Sequence, residues 1–157
     1  MTIGVYDWTL EAFLAALTEA DVREVLDVRQ RRGVRGAEYA WANATRLEAS
    51  LAEVGIAYRH LSELAPTTEM RQLQYAEDDR TGEGKRSRTR LADAYVERYT
   101  HEILDHADLD DVVALLPAEG AAALLCVERD AEACHRSLVA ERLERDHGVR
   151  VAHLTPA

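Results

Sequence analysis

AAALLCVERDAEACHRSLVAERL, residues Ala121 to Leu143, decides the fold. Its first part, Ala121 to Val127, follows Gly120 and carries no charge, which suits a strand buried on both faces and therefore central in its sheet. Asp130 then stands at an expected helix N-cap, with Glu132 in the first turn near the positive end of the helix dipole. On that reading Cys134 falls about one turn into a helix. At about 100° per residue, Ala131, His135, Leu138, Val139 and Arg142 share one side, so His135 is aimed at the sheet. A histidine just past the end of a buried strand lies where open α/β sheets bind ligands.

Outward from this centre, strands and helical segments alternate. Thr2 to Tyr6 reads as a first strand, and Leu10, Phe13, Leu14 and Leu17 as a helix capped by Thr9. Glu24 to Val28 is a second strand, Gln30 to Tyr39 an arginine-rich loop with two glycines, and Trp41 to Val54 a helix closed by Gly55. Ile56 to Leu61 forms a third strand with His60 near its end. Met70, Leu73 and Tyr75 fit a short helix, and the polar, glycine-punctuated Glu77 to Arg90 reads as a mobile loop. Tyr95 to Leu104 and Leu109 to Leu116 have helical spacing, the second closed by Pro117, and Val149 to Leu154 is a last strand. The alternation predicts one domain over residues 1–157, a three-layer Rossmann-like α/β fold with a mostly parallel sheet of about five strands.

Composition narrows the function classes. The 157 residues are 47% hydrophobic and 31% charged, as in ordinary globular proteins. No stretch approaches the roughly 18 apolar residues of a membrane span, and MTIGVYDWTLEAF lacks the basic start of a signal peptide, so a cytoplasmic setting and no membrane partner are expected. A net charge of -10 disfavours nucleic-acid binding through phosphate contacts. The arginines are nevertheless grouped: Arg29, Arg31, Arg32 and Arg35 in one segment, Lys85, Arg86, Arg88 and Arg90 in another. Each group is either a solvated loop or a local anion site.

The strand ends would collect the reactive side chains. Cys134, beside His135 and Arg136 near a helix N-terminus, is either an activated nucleophile or redox thiol, or a small buried residue. Cys126, ending a run of Ala and Leu, reads as core. Cys126, Cys134, His135 and His60 are zinc-type ligands, but seven intervening residues do not make a zinc knuckle, and adjacent side chains on a helix diverge by about 100°, so no metal is expected. Arg29 and Arg136 are the leading anion-binding candidates; the alternative is structural pairing with Asp27 or Glu128. Glu128 is a general base, an orienter of His135, or a surface carboxylate.

Leu26-Asp27-Val28-Arg29, the Gly55 to Leu61 turn and strand, and above all Leu125 to Asp130 followed by Cys134-His135-Arg136-Ser137-Leu138 resemble the domain-of-unknown-function family DUF488. The resemblance spans nearly the whole chain. It implies a compact α/β domain with Arg29, Cys126, Glu128, Cys134, His135 and Arg136 at a shared site. Family members commonly follow the first strand with a Gly-His-Ser-Asn-like turn, where this chain has Gly4-Val5-Tyr6-Asp7. The resemblance therefore transfers the site and not the reaction.

Together these readings give a small enzyme acting on a phosphate-bearing, nucleotide-like anion, with Cys134, His135 and Glu128 in catalysis and Arg29, Arg35, His60, Cys126 and Arg136 binding the ligand. Gln30 to Tyr39 and Gly82 to Arg90 would close over it. The sequence leaves any cofactor open. The rival readings are a ligand-sensing or nucleic-acid-associated module without catalysis, and a subunit of a larger assembly.

Overall fold

The structure, a computed structural model, describes residues 1–157. Its elements are β1 (Thr2–Ile3), α1 (Leu10–Glu19), β2 (Val22–Asp27), α2 (Ala44–Glu53), β3 (Ala57–His60), α3 (Thr68–Thr81), α4 (Asp93–Tyr99), α5 (Leu109–Ala114), β4 (Ala121–Leu125), α6 (His135–His147) and β5 (His153–Leu154). Short 3-10 turns at Ala37–Ala42, Ser62–Leu64 and Ala131–Ala133 join them, and a π-helical turn, Thr100–Leu104, continues α4. All strand pairs are parallel, in the order β3-β2-β4-β1-β5. The result is the expected three-layer Rossmann-like α/β fold around one five-stranded sheet.

β4 is the middle strand, and the reason is in its side chains. Ala122 to Leu125 are all buried, a run without polar groups that only a doubly covered position accepts. The core continues into α1 through Phe13 and Leu17, both fully buried and each contributing about 1.5–3 kcal/mol. Thr9 caps α1 by accepting from the Ala12 amide at 3.2 Å. Phe13 packs against Trp41 in the 3-10 turn before α2, with ring centroids 5.0 Å apart.

Four expectations change. α3 does not stop near Tyr75 but runs to Thr81, where Gly82 adopts the left-handed conformation (φ 73°). Its buried residues are Met70, Gln74 and Asp78, one every four positions, and two of them are polar. Apolar periodicity could not register that face. Second, Asp130 caps only the 3-10 turn, closed by Ala133 and Cys134 amides donating to the Asp130 and Ala131 carbonyls. Cys134 is extended (φ -141°, ψ 142°) and is itself the N-cap residue of α6, so His135 is that helix's first residue. Third, α6 buries His135, Arg136, Ser137, Val139, Ala140 and Leu143, while Leu138 and Arg142 lie at the margin. At the far edge, only His153 and Leu154 of the expected last strand pair with the sheet.

Candidate active site

Because every strand is parallel, their C-terminal ends share one edge, and the segments that follow them enclose a cavity of about 700 Å³ there. β1 leads to Tyr6, β2 to Arg29, and β4 to Cys126 and Glu128; the α6 end supplies Cys134 and His135. The two basic segments form walls, Arg31 and Arg35 from one, Lys85, Arg86 and Arg88 from the other, and Arg71 comes from α3. Seven Lys and Arg residues thus line the cavity against one carboxylate, Glu128, in a chain whose net charge is -10.

The floor is sulfur and imidazole. His135 Nδ1 lies 3.8 Å from Cys126 Sγ and 3.9 Å from Cys134 Sγ, and its Nε2 is 2.8 Å from the Val28 carbonyl oxygen at the end of β2. That carbonyl takes the Nε2 proton, which leaves the Nδ1 lone pair facing both sulfurs. The Glu128 Oε2 is 3.5 Å from Cys126 Sγ. Tyr99 tilts against the imidazole with centroids 5.3 Å apart, and its hydroxyl donates to the Leu64 carbonyl at 2.6 Å. Stacked beside Tyr99, Tyr95 completes an aromatic backing. Sequence reasoning placed both tyrosines on a helix without connecting them to the site; their four-residue spacing was the available signal.

Burial and charge act against each other here. Burial pushes the Cys126 thiol well above its usual range, and the Cys134 sulfur pushes it the same way. On Cys134 burial also acts upward, but the Cys126 thiol hydrogen bond, the Arg136 charge and His135 outweigh it, holding the thiol well below its ordinary value. Burial lowers His135, yet the negative Cys134 outweighs that and raises the imidazole. Glu128 is raised, first by burial and then by Cys134, with Lys85 and Arg88 opposing.

The two leading anion candidates have other work. Arg29 lines the cavity, but its Nε and Nη2 donate to Asp27 at 2.9 and 2.7 Å and its Nη1 to the Ala42 carbonyl at 2.8 Å. It is the structural pairing with Asp27. Arg136 is 1% exposed and does not line the cavity. Its Nη1 and Nη2 donate to the Glu128 and Arg129 carbonyls at 2.6 and 2.9 Å, and Nε to the Thr2 hydroxyl at 3.3 Å. It fastens the Glu128 loop to α6 and β1, pairing with the backbone of Glu128 and not its carboxylate. His60 is also outside the cavity; its ring Nε2 meets the Arg29 carbonyl at 2.8 Å and steadies the chain there.

Arg88 is the cation that a sequence reading underrates. It is 7% exposed inside a run that looks solvated. Its Nη2 is 2.7 Å from Asp78 Oδ2, within ion-pair distance but out of line for a hydrogen bond, and its Nη1 is 3.9 Å from Glu128 Oε1. Gln74 orders this corner, donating to Asp78 at 2.9 Å and accepting from the Ala92 amide at 2.8 Å. Arg86 lies over the rings of Tyr6 and Tyr39, 5.2 and 5.1 Å from their centroids.

Gly4 lets the edge assemble. A Cβ there would sit 1.8 Å from the Glu128 carbonyl oxygen, so only glycine lets β1 run this close to the loop. The Val5 and Tyr6 amides both donate to the Val127 carbonyl, at 2.9 and 3.0 Å.

The family described as "Domain of unknown function DUF488" matches residues 9–143. The chain belongs to that family. The match takes in Cys126, Glu128, Cys134, His135 and Arg136, while Gly4 to Asp7, the turn that departs from the DUF488 pattern, lies before it. No curated protein and no solved structure matches the chain. No helix is long and apolar enough to cross a membrane.

Proposed function

We propose that this DUF488 protein is an enzyme that binds a small phosphate-bearing anion, of nucleotide type, in the cationic cavity and transforms it at the sulfur-imidazole floor. The observation that carries the reading is the charge reversal: seven cationic side chains gather around one cavity of an acidic chain, directly above Cys134 and His135. Arg31, Arg35, Lys85 and Arg86 hold the anion, with Tyr6 and Tyr95 lining the same cavity. Cys134 is the nucleophile candidate, His135 the proton carrier, and Glu128 the neighbouring carboxyl that shares its proton. Two free thiols side by side fit a reducing, cytoplasmic setting.

The test is a thermal-shift and calorimetric series with inorganic phosphate, pyrophosphate, nucleoside monophosphates and the matching uncharged nucleosides. Phosphorylated ligands are expected to raise Tm, with affinity falling as salt is added. No shift with any of them at millimolar concentration would overturn the reading. A binding module without catalysis is the second reading, favoured by the complete enclosure of Cys134, which is 0% exposed. Ligands bound and released unchanged over hours would select it.

A further inference from the structure

Cys126 and Cys134 reach the floor from different directions, the first from the end of the central strand, the second from the N-cap of α6. The divergence expected for neighbours on a helix does not arise, because Cys134 is extended and precedes the helix. The two sulfurs and the His135 ring nitrogen lie within 4.8 Å of one another, all three buried. We propose that Cys126, Cys134 and His135 bind one zinc ion, leaving a fourth coordination position open to the cavity.

The nitrogen–sulfur distances are close to those a tetrahedral ion requires. Zinc–sulfur bonds of about 2.3 Å and zinc–nitrogen bonds of about 2.0–2.1 Å place neighbouring S and N ligand atoms roughly 3.6 Å apart. Here Nδ1 is 3.8 and 3.9 Å from the two sulfurs, a few tenths of an ångström from that spacing, and the sulfurs lie within 4.8 Å of each other. The imidazole is already set for it. With Nε2 bound to the Val28 carbonyl at 2.8 Å, Nδ1 presents its lone pair to both sulfurs, the outer hydrogen bond that orients a metal-binding histidine. One cation at this point would be shared by all three atoms.

Ligand chemistry selects the ion. Two thiolates and an imidazole favour zinc over magnesium or calcium, which prefer oxygen. Both thiols lose their protons on binding, and the two negative sulfurs balance the divalent charge at a buried position. Three protein ligands facing a cavity leave room for water, as in zinc sites that do chemistry, whereas structural sites close all four positions. Glu128, 3.5 Å from Cys126 Sγ, stands next to that position. A zinc ion held by these three residues would supply a Lewis acid that makes a bound water more acidic, and Glu128 would be the carboxylate beside it. The inference rests on the proposed function only for the location of the reacting end; it turns Cys134 from attacking group into ligand.

Cobalt titration of metal-stripped wild-type protein tests it, with zinc content of the untreated protein measured alongside. Expected are one zinc per chain and, with cobalt, a thiolate-to-metal charge-transfer band with intense tetrahedral d–d bands, erased by added zinc. Cys126→Ser and Cys134→Ser should each weaken zinc binding by about 100-fold or more, whereas Glu128→Gln keeps full stoichiometry. A folded wild-type protein that gives no charge-transfer band overturns the site without reference to any variant, as does a band that survives in both cysteine variants. Phosphate binding separates the two readings. Anions that bind a protein without the cobalt band leave the proposed function standing with its thiol nucleophile; a cobalt band in a protein indifferent to every anion leaves the metal site and removes the function.

Discussion

The floor and the walls of the cavity differ in what holds their side chains. At the floor, Cys126, Cys134 and His135 are each at most 5% exposed, and His135 is pinned to the Val28 carbonyl of the sheet edge. On the walls, Arg31, Arg35 and Arg86 are exposed on connecting segments, and Arg86 rests on tyrosine rings. A buried group is fixed by partners it cannot lose, so changes around the floor affect stability and chemistry together. An exposed cation is held loosely and is free to answer a ligand. Arg29 and Arg88 belong to both, cavity-lining cations buried like the floor.

The contrast breaks most visibly where the floor is supported. Asp27→Ala strands Arg29, 1% exposed and paired with Asp27 through two nitrogens, and is expected to destabilise by about 3–5 kcal/mol in denaturant titration. A cost under about 1 kcal/mol would mean that this pair does not anchor the β2 end. Gly4→Ala comes next: the methyl group meets the Glu128 carbonyl, with an expected loss of about 3 kcal/mol. Its thermal unfolding should be compared with Gly55→Ala, where the added group meets nothing within 4 Å and only the left-handed φ of 75° resists. Equal losses at the two glycines would dismiss the close approach.

The walls should respond the other way. Arg31→Ala with Arg35→Ala is expected to leave the denaturation midpoint almost unchanged while weakening nucleoside monophosphate binding by roughly tenfold and flattening its salt dependence. Unaltered affinity in calorimetry would take both residues out of ligand binding. Arg86→Lys keeps the charge but loses the flat stacking over Tyr6 and Tyr39, and should weaken binding by only about twofold. A larger loss would make the planar guanidinium itself the recognition element.

Much of the fold was legible because its signals were local. An uncharged run after Gly120 marks the central strand, and Thr9 and Gly55 punctuate helices where capping demands. α3 escaped because Gln74 and Asp78 bury polar groups where periodicity looks for apolar ones. Cys126, Glu128, Cys134 and His135 do meet at one edge, since parallel strands leave their ends no other place. The roles of Arg29, Arg136 and His60 were not legible, because an arginine binding a ligand and one binding backbone carbonyls have the same sequence signature. The convergence of two thiols on one imidazole was hidden for a related reason. It depends on Cys134 lying just outside α6, a shift of a few residues that capping patterns do not fix.

The aromatic contact beneath α1 has a practical consequence. The chain has two tryptophans, Trp8 and Trp41, and both flank Phe13, at 6.4 and 5.0 Å. Trp41 precedes Asn43, whose side chain accepts from the Val34 amide at 2.9 Å, so the segment bearing Arg31 and Arg35 is tethered beside an indole. The protein thus carries its own optical gauge: selective indole excitation follows that segment in real time, without a dye and without knowledge of the reaction.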